Sequence, residues 1–146
     1  MRRYLLVLPF LLACAKKDAP PADSAAAAPA MATDADFAGT WTGTLMAEGS
    51  DSVVGHWSDT CGQGTCRLTS TENPKDTVTV TYVIEGDSAR YNAAAHADPM
   101  MKGAMVTDEG VARVSGNQIS GHGMIRLAEK PDSVVMRYRF TGTKGM

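Results

Sequence analysis

His96, Met100, Met101 and Met105 stand close together in the chain and carry the donors that a soft metal ion selects: thioether sulfur and imidazole nitrogen, the set that suits Cu(I). His122 and Met124 would share one face of an extended segment and could add to it. The plainer reading is that methionines fill gaps in a core and a loop histidine is solvated, and no ligand spacing here is diagnostic of a metal. Other chemistry is harder to place. Ser115-Gly116 and Ser120-Gly121 read as turn and strand residues, without the strand-to-helix elbow that exposes a nucleophile. Asp108-Glu109 is a carboxylate pair, but neighbours on a strand point to opposite faces, and the pair reads as a turn or bulge before Gly110. No glycine loop leads from a strand into a helix to cradle phosphate. Catalysis and a resident cofactor are therefore not expected.

The N-terminus decides the compartment. Met1-Arg2-Arg3 and the apolar run Tyr4 to Ala13 form a charged and then a hydrophobic region too short to span a bilayer, as in a secretion leader. Its end, Leu11-Leu12-Ala13-Cys14, resembles the lipobox of bacterial lipoproteins. The resemblance implies cleavage after residue 13, lipidation of Cys14 and anchoring on a membrane of the cell envelope, each buried methylene contributing about 0.8 kcal/mol. Residues 14–35 then read as the lipidated cysteine and a disordered tether of Ala, Pro, Lys, Asp, Ser and Thr with no apolar stripe. With Cys14 so used, Cys61 and Cys66 remain, bracketing Gly62-Gln63-Gly64-Thr65 in an oxidising compartment. A hairpin loop of that length sets its flanking residues opposite each other, which predicts a disulfide contributing about 2 kcal/mol. A redox or zinc site using His56 is the sharper alternative, against which stand the spacing and the shortage of ligands.

The elements that must hold these residues read as strands. Residues 36–146 suffice for one domain that buries roughly two thirds of its unfolded surface. Thr77 to Ile84 sends Val78, Val80, Tyr82 and Ile84 to one face, and Val134 to Thr141 sends Val134, Met136, Tyr138 and Phe140 to one face with arginines on the other. Trp41, Gly43 and Leu45 fall together, as do Ile119, Gly121, Gly123, Ile125 and Leu127. The phrase Asp-Ser/Thr-Val recurs at 51, 76 and 132 without constant spacing, so it marks strand entry and not duplication. Turn sequences such as Glu85-Gly86-Asp87-Ser88 and Ser115-Gly116-Asn117-Gln118 separate strands expected at 38–47, 51–58, 65–71, 77–85, 88–95, 105–114, 118–128 and 133–143. Residues His96 to Gly103 break the alternation and read as a loop. Successive hairpins favour an all-β, eight-stranded antiparallel up-and-down barrel, with a two-sheet β-sandwich as the alternative.

Gly39-Thr40-Trp41 at the start of the first strand resembles the calycin superfamily, which includes the lipocalins. That resemblance implies a barrel able to hold an apolar ligand and an arginine of the last strand, here Arg139, packed across Trp41 with about 0.5 to 2 kcal/mol of stacking. Asp and Glu number 16 against 14 for Lys and Arg, with no basic stripe, so nucleic acid is not an expected partner. The expected partners are the membrane, through the lipid, and a small apolar ligand or a protein at the open end. The alternatives are an envelope structural or interaction protein with a filled core, and a Cu(I)-handling protein. Inward glycines (Gly43, Gly121, Gly123) would leave space and inward aromatics (Trp41, Tyr82, Tyr138, Phe140) would take it, so the interior discriminates.

Overall fold

The structure is a computed structural model that describes residues 31–71, 75–98, 101 and 103–145. Cys14, the leader and most of the expected tether lie outside the described residues, as does Met100. Alternating β-branched and polar residues form eight strands: β1 (Gly39–Ala47), β2 (Val53–Gly62), β3 (Thr65–Ser70), β4 (Thr77–Glu85), β5 (Ser88–Asp98), β6 (Ala104–Ser115), β7 (Gln118–Leu127) and β8 (Lys130–Lys144). They close as an antiparallel meander in which each strand pairs with its sequence neighbours and β1 pairs with β8, from Trp41 opposite Lys144 to Ala47 opposite Tyr138. The expected barrel is the one found, and closure satisfies every strand edge without a second sheet.

The expected disulfide joins Cys61 and Cys66, which face each other across β2 and β3. Its hairpin is tighter than expected. Gly62 pairs with Thr65, which leaves Gln63 and Gly64 as a two-residue turn with φ of 54° and 75°. Both central residues are left-handed, as a primed hairpin turn requires, and glycine at the second lowers the cost.

The ordered domain begins earlier than residue 36. A single helical turn, α1 (Asp34–Phe37), seals one end of the barrel, although the sequence suggests no helix in the domain. Thr33 and Asp36 form its capping box, Phe37 is buried, and the Trp41 indole donates to the Phe37 carbonyl at 2.7 Å. The Asp34 carboxylate, expected in the tether, accepts the backbone N–H groups of Gln63 and Gly64 at 3.0 Å each and the Tyr82 hydroxyl. Ala32 donates its N–H to the Gly86 carbonyl at 2.8 Å. Composition hid this plug, because its anchors are one carboxylate and one aromatic among alanines.

The cation beside Trp41 is Lys144, with Nζ 5.2 Å from the ring centroid, and not Arg139. β8 runs past Arg139 to Lys144, so Arg139 lies opposite Met46, turns outward, and binds Asp51 and the Ser50 carbonyl. Asp108 and Glu109 are likewise not a turn. Both sit within β6, Asp108 pointing inward and Glu109 outward to Arg126 at 3.1 Å.

Candidate functional site

Period-two alternation turns one side chain in two toward the barrel axis, and the inward set is unusually rich in glycine facing aromatics. A Cβ built on Gly43 would lie 2.1 Å from the Thr141 carbonyl oxygen and 2.6 Å from the Trp57 ring, and one on Gly142 would also meet that ring. Gly121 sits under Phe140, and Gly123 under the hydroxyls of Tyr91 and Tyr138. The glycines therefore do not leave empty space, as inward glycines were expected to. They are seats for rings supplied by other strands. Phe140 makes edge contacts with Trp57 at 5.8 Å and Tyr91 at 6.1 Å between centroids.

The rings do not fill the interior. A cavity of about 200 Å³ remains, walled by Trp57, Tyr82, Tyr91, Tyr138 and Phe140 together with aliphatic and alanine side chains. Ala89, Ala93 and Ala112 are buried without reaching the axis, and Ala89 and Ala112 line the space. α1 closes one end through Phe37. The C-terminal ends of β1, β3, β5 and β7 lie at the other end, as the antiparallel meander requires.

Four carboxylates enter this wall: Asp59 of β2, Asp98 of β5 and Asp108 of β6 from within strands, and Asp76 from the residue just before β4. Burial pushes Asp59 up to about 7, and no described group bonds its Oδ1. Burial likewise pushes Asp108 up to about 7, against the bond it accepts from the Tyr138 hydroxyl at 2.6 Å. Tyr138 has one hydroxyl hydrogen, so with it committed to Asp108 the 2.7 Å contact with Tyr91 is donated by Tyr91. Burial, then the Asp108 charge, holds both phenols well above their usual range, with Asp59 adding to the effect at Tyr91. The Trp57 indole nitrogen also has no described partner, although the residue is only 7% exposed. Among the described residues, no lysine or arginine lines the cavity.

At the sealed end, burial and then the bond to Asp34 push the Tyr82 phenol up to about 12, and that bond, before those from Gly64 and Gln63, holds the Asp34 carboxyl below its usual value.

The histidine and methionine set is divided by the wall. One extra residue in β5 between Ala93 and His96 restores the inward phase, so His96 lines the cavity, its Nδ1 donating to the Ala94 carbonyl at 2.9 Å. Met105 lies opposite Ala97, faces outward and is half exposed. Met101 packs against the core, and its N–H bonds Asp98 Oδ1 at 3.0 Å. His122 and Met124 lie on β7, His122 exposed and Met124 against Arg126. Among the described residues, Asp59, Cys61 and Cys66 bring three potential metal ligands together, but both sulfurs are spent in the disulfide. The zinc reading of the cysteines has no free thiol to use.

Asp59 is the site residue that sequence reading missed. Its signal is parity with Trp57 and Cys61, which shows only because β2 continues past the expected end at 58 to Gly62. The chain matches no protein-family model, and neither curated proteins nor solved structures give a significant match.

Proposed function

We propose that the protein is a binding module that holds one small, largely apolar molecule inside its barrel, as a lipid-anchored component of the bacterial envelope. The observation that carries this reading is the cavity of about 200 Å³ that persists despite the seated aromatic rings. Core packing ordinarily leaves few voids larger than a water molecule, whereas a dry apolar cavity of about 150 Å³ holds a benzene ring. The envelope placement is supported by the leader and Cys14 in the sequence. The barrel and its Gly-x-Trp start agree with the resemblance to calycins, with lysine where that family's pattern has arginine.

Mass spectrometry of the purified full-length chain tests the reading by identifying a co-purifying organic molecule. Titration with 2-phenylethanol, followed by tryptophan fluorescence, gives a second measure, since Trp57 lines the cavity. Ala112→Leu adds three carbons to the wall and should abolish binding while the circular dichroism of the barrel persists. A chain that carries no organic molecule and does not respond to 2-phenylethanol would have a structural core, and the reading would fail.

A further inference from the structure

An interior built only to hold an apolar molecule has no use for carboxylates, because burying an unpaired charge is costly and nonpolar side chains of similar size would avoid the cost. Here Asp59 and Asp108 reach the cavity from separate strands, and among the described residues no lysine or arginine lines it, the other titratable side chains there being His56, Asp76, His96 and Asp98 together with the tyrosines. Tyr138 supplies one bond to Asp108, but Asp59 Oδ1 has no hydrogen-bond partner among the described residues. The buried Trp57 indole in the same wall is a second and independent group without a hydrogen-bond partner among the described residues. The side chains around these carboxylates are aromatic, and aromatic faces attract cations, most strongly where water is excluded. Carboxylates repel anions, which removes fatty acids and phosphates as occupants. A hard metal ion is disfavoured too, since it asks for six or more oxygen ligands and no such set is assembled among the described residues.

Resting on the reading of the barrel as a ligand-binding module, we propose that the ligand is a small protonated amine, its ammonium group beside Asp59 with Asp108 behind it, and its apolar body against Trp57, Tyr91 and Phe140. The cavity is roughly the size for one ring with a short side chain. The ammonium supplies both the missing counter-charge and the missing donor at Asp59. Binding is then linked to protons: a neutral Asp59 must lose its proton to pair with the ammonium, so amine affinity rises with pH while the amine stays charged.

The test compares three probes of one shape and different charge, 2-phenylethylamine, 2-phenylethanol and 3-phenylpropionate, titrated calorimetrically into the full-length chain at about pH 8. The amine should bind at least about tenfold tighter than the alcohol, the discrimination expected of one charge-assisted hydrogen bond, and the propionate should be weakest. In Asp59→Asn the preference should vanish while alcohol binding survives. Asp108→Asn should reduce it less, and supplies the comparison if the first variant does not fold. Lowering the pH to about 6 should weaken the amine and leave the alcohol unchanged. If the wild type binds the alcohol as tightly as the amine, the amine proposal is overturned and the apolar reading stands. If none of the three binds, both are overturned. Preference for the amine that persists unchanged in both variants would also overturn it, because the recognition would lie elsewhere.

Discussion

Removing the carboxylate of Asp59 should flatten the pH dependence of stability, and the size of the effect follows from its burial. The group moves from an ordinary value of 3.8 to about 7 on folding, for burial alone. Because the folded value is raised, the native state holds this proton more tightly than the unfolded chain. That contribution is full below the unfolded value near 4 and is lost as pH rises through about 7. At about 1.4 kcal/mol per unit, Asp59 makes the protein about 3 kcal/mol less stable at pH 8.5 than at pH 5. Asp108, pushed up to about 7 as well, adds a similar loss. Asp34 and Asp36 are held below their ordinary value by their hydrogen bonds, so their titration falls outside this window. His56, Asp76, His96 and Asp98 line the same cavity, but they are common to wild type and variant, so the difference isolates Asp59. Urea unfolding of wild type and Asp59→Asn at the two pH values measures it. The wild-type loss should approach about 6 kcal/mol and the variant's about half that, with the variant the more stable at pH 8.5. Superimposable pH profiles would refute the argument, and would mean that Asp59 is solvated or paired.

Three further outcomes are expected. Gly43→Ala should destabilise the barrel by about 3 kcal/mol or more in denaturant titration, because the added methyl meets the Thr141 carbonyl as well as the Trp57 ring and the backbone must move. Lys144→Ala should lower stability by about 0.5 to 1 kcal/mol through the lost contact with Trp41, whereas Arg139→Ala, whose partners are on the exposed surface, should stay within about 0.5 kcal/mol of wild type. Cys14→Ser should move the protein from the membrane fraction to the soluble fraction, and a variant that stays membrane-bound with its leader cleaved would remove the lipid anchor from the proposal.

Much of the wall was legible because alternation is a local signal. Val78, Val80, Tyr82 and Ile84, and Met136, Tyr138 and Phe140, face inward as their spacing predicts. The hairpin disulfide was legible for the same reason: loop length alone sets the two cysteines opposite each other. What failed depends on distant partners or on strand ends. Trp41 receives its cation from Lys144 because β8 continues beyond the predicted limit at 143, which a turn-and-alternation reading does not reveal. Asp34 looks like tether until the Gln63-Gly64 turn presents two backbone donors to it. The break in alternation at His96 reads as a loop, but a bulge after Ala93 shifts the phase of β5 and turns the ring inward. Asp59 lies beyond the point where local alternation marks the end of the second strand, and the partner of Asp108 is Tyr138, a residue of β8 that its sequence neighbour Glu109 does not announce.

The glycine seats also constrain how such an interior can change by mutation. At Gly43 and Gly121 an added methyl meets a backbone carbonyl, so shrinking the aromatic partner does not make room for it. At Gly123 the nearest obstacles are the hydroxyls of Tyr91 and Tyr138, which are side-chain atoms. Change to phenylalanine removes those hydroxyls but leaves Tyr138 Cζ at 2.7 Å, so residue 138 must become smaller than phenylalanine or its ring must shift, and either change breaks or strains the bond that Tyr138 gives Asp108. Cavity volume and cavity charge are thus coupled at one position. A lineage that enlarges residue 123 must first let its tyrosines go, and with them the polarity of that side of the pocket, so new ligand preferences are reached through paired substitutions and not through single ones.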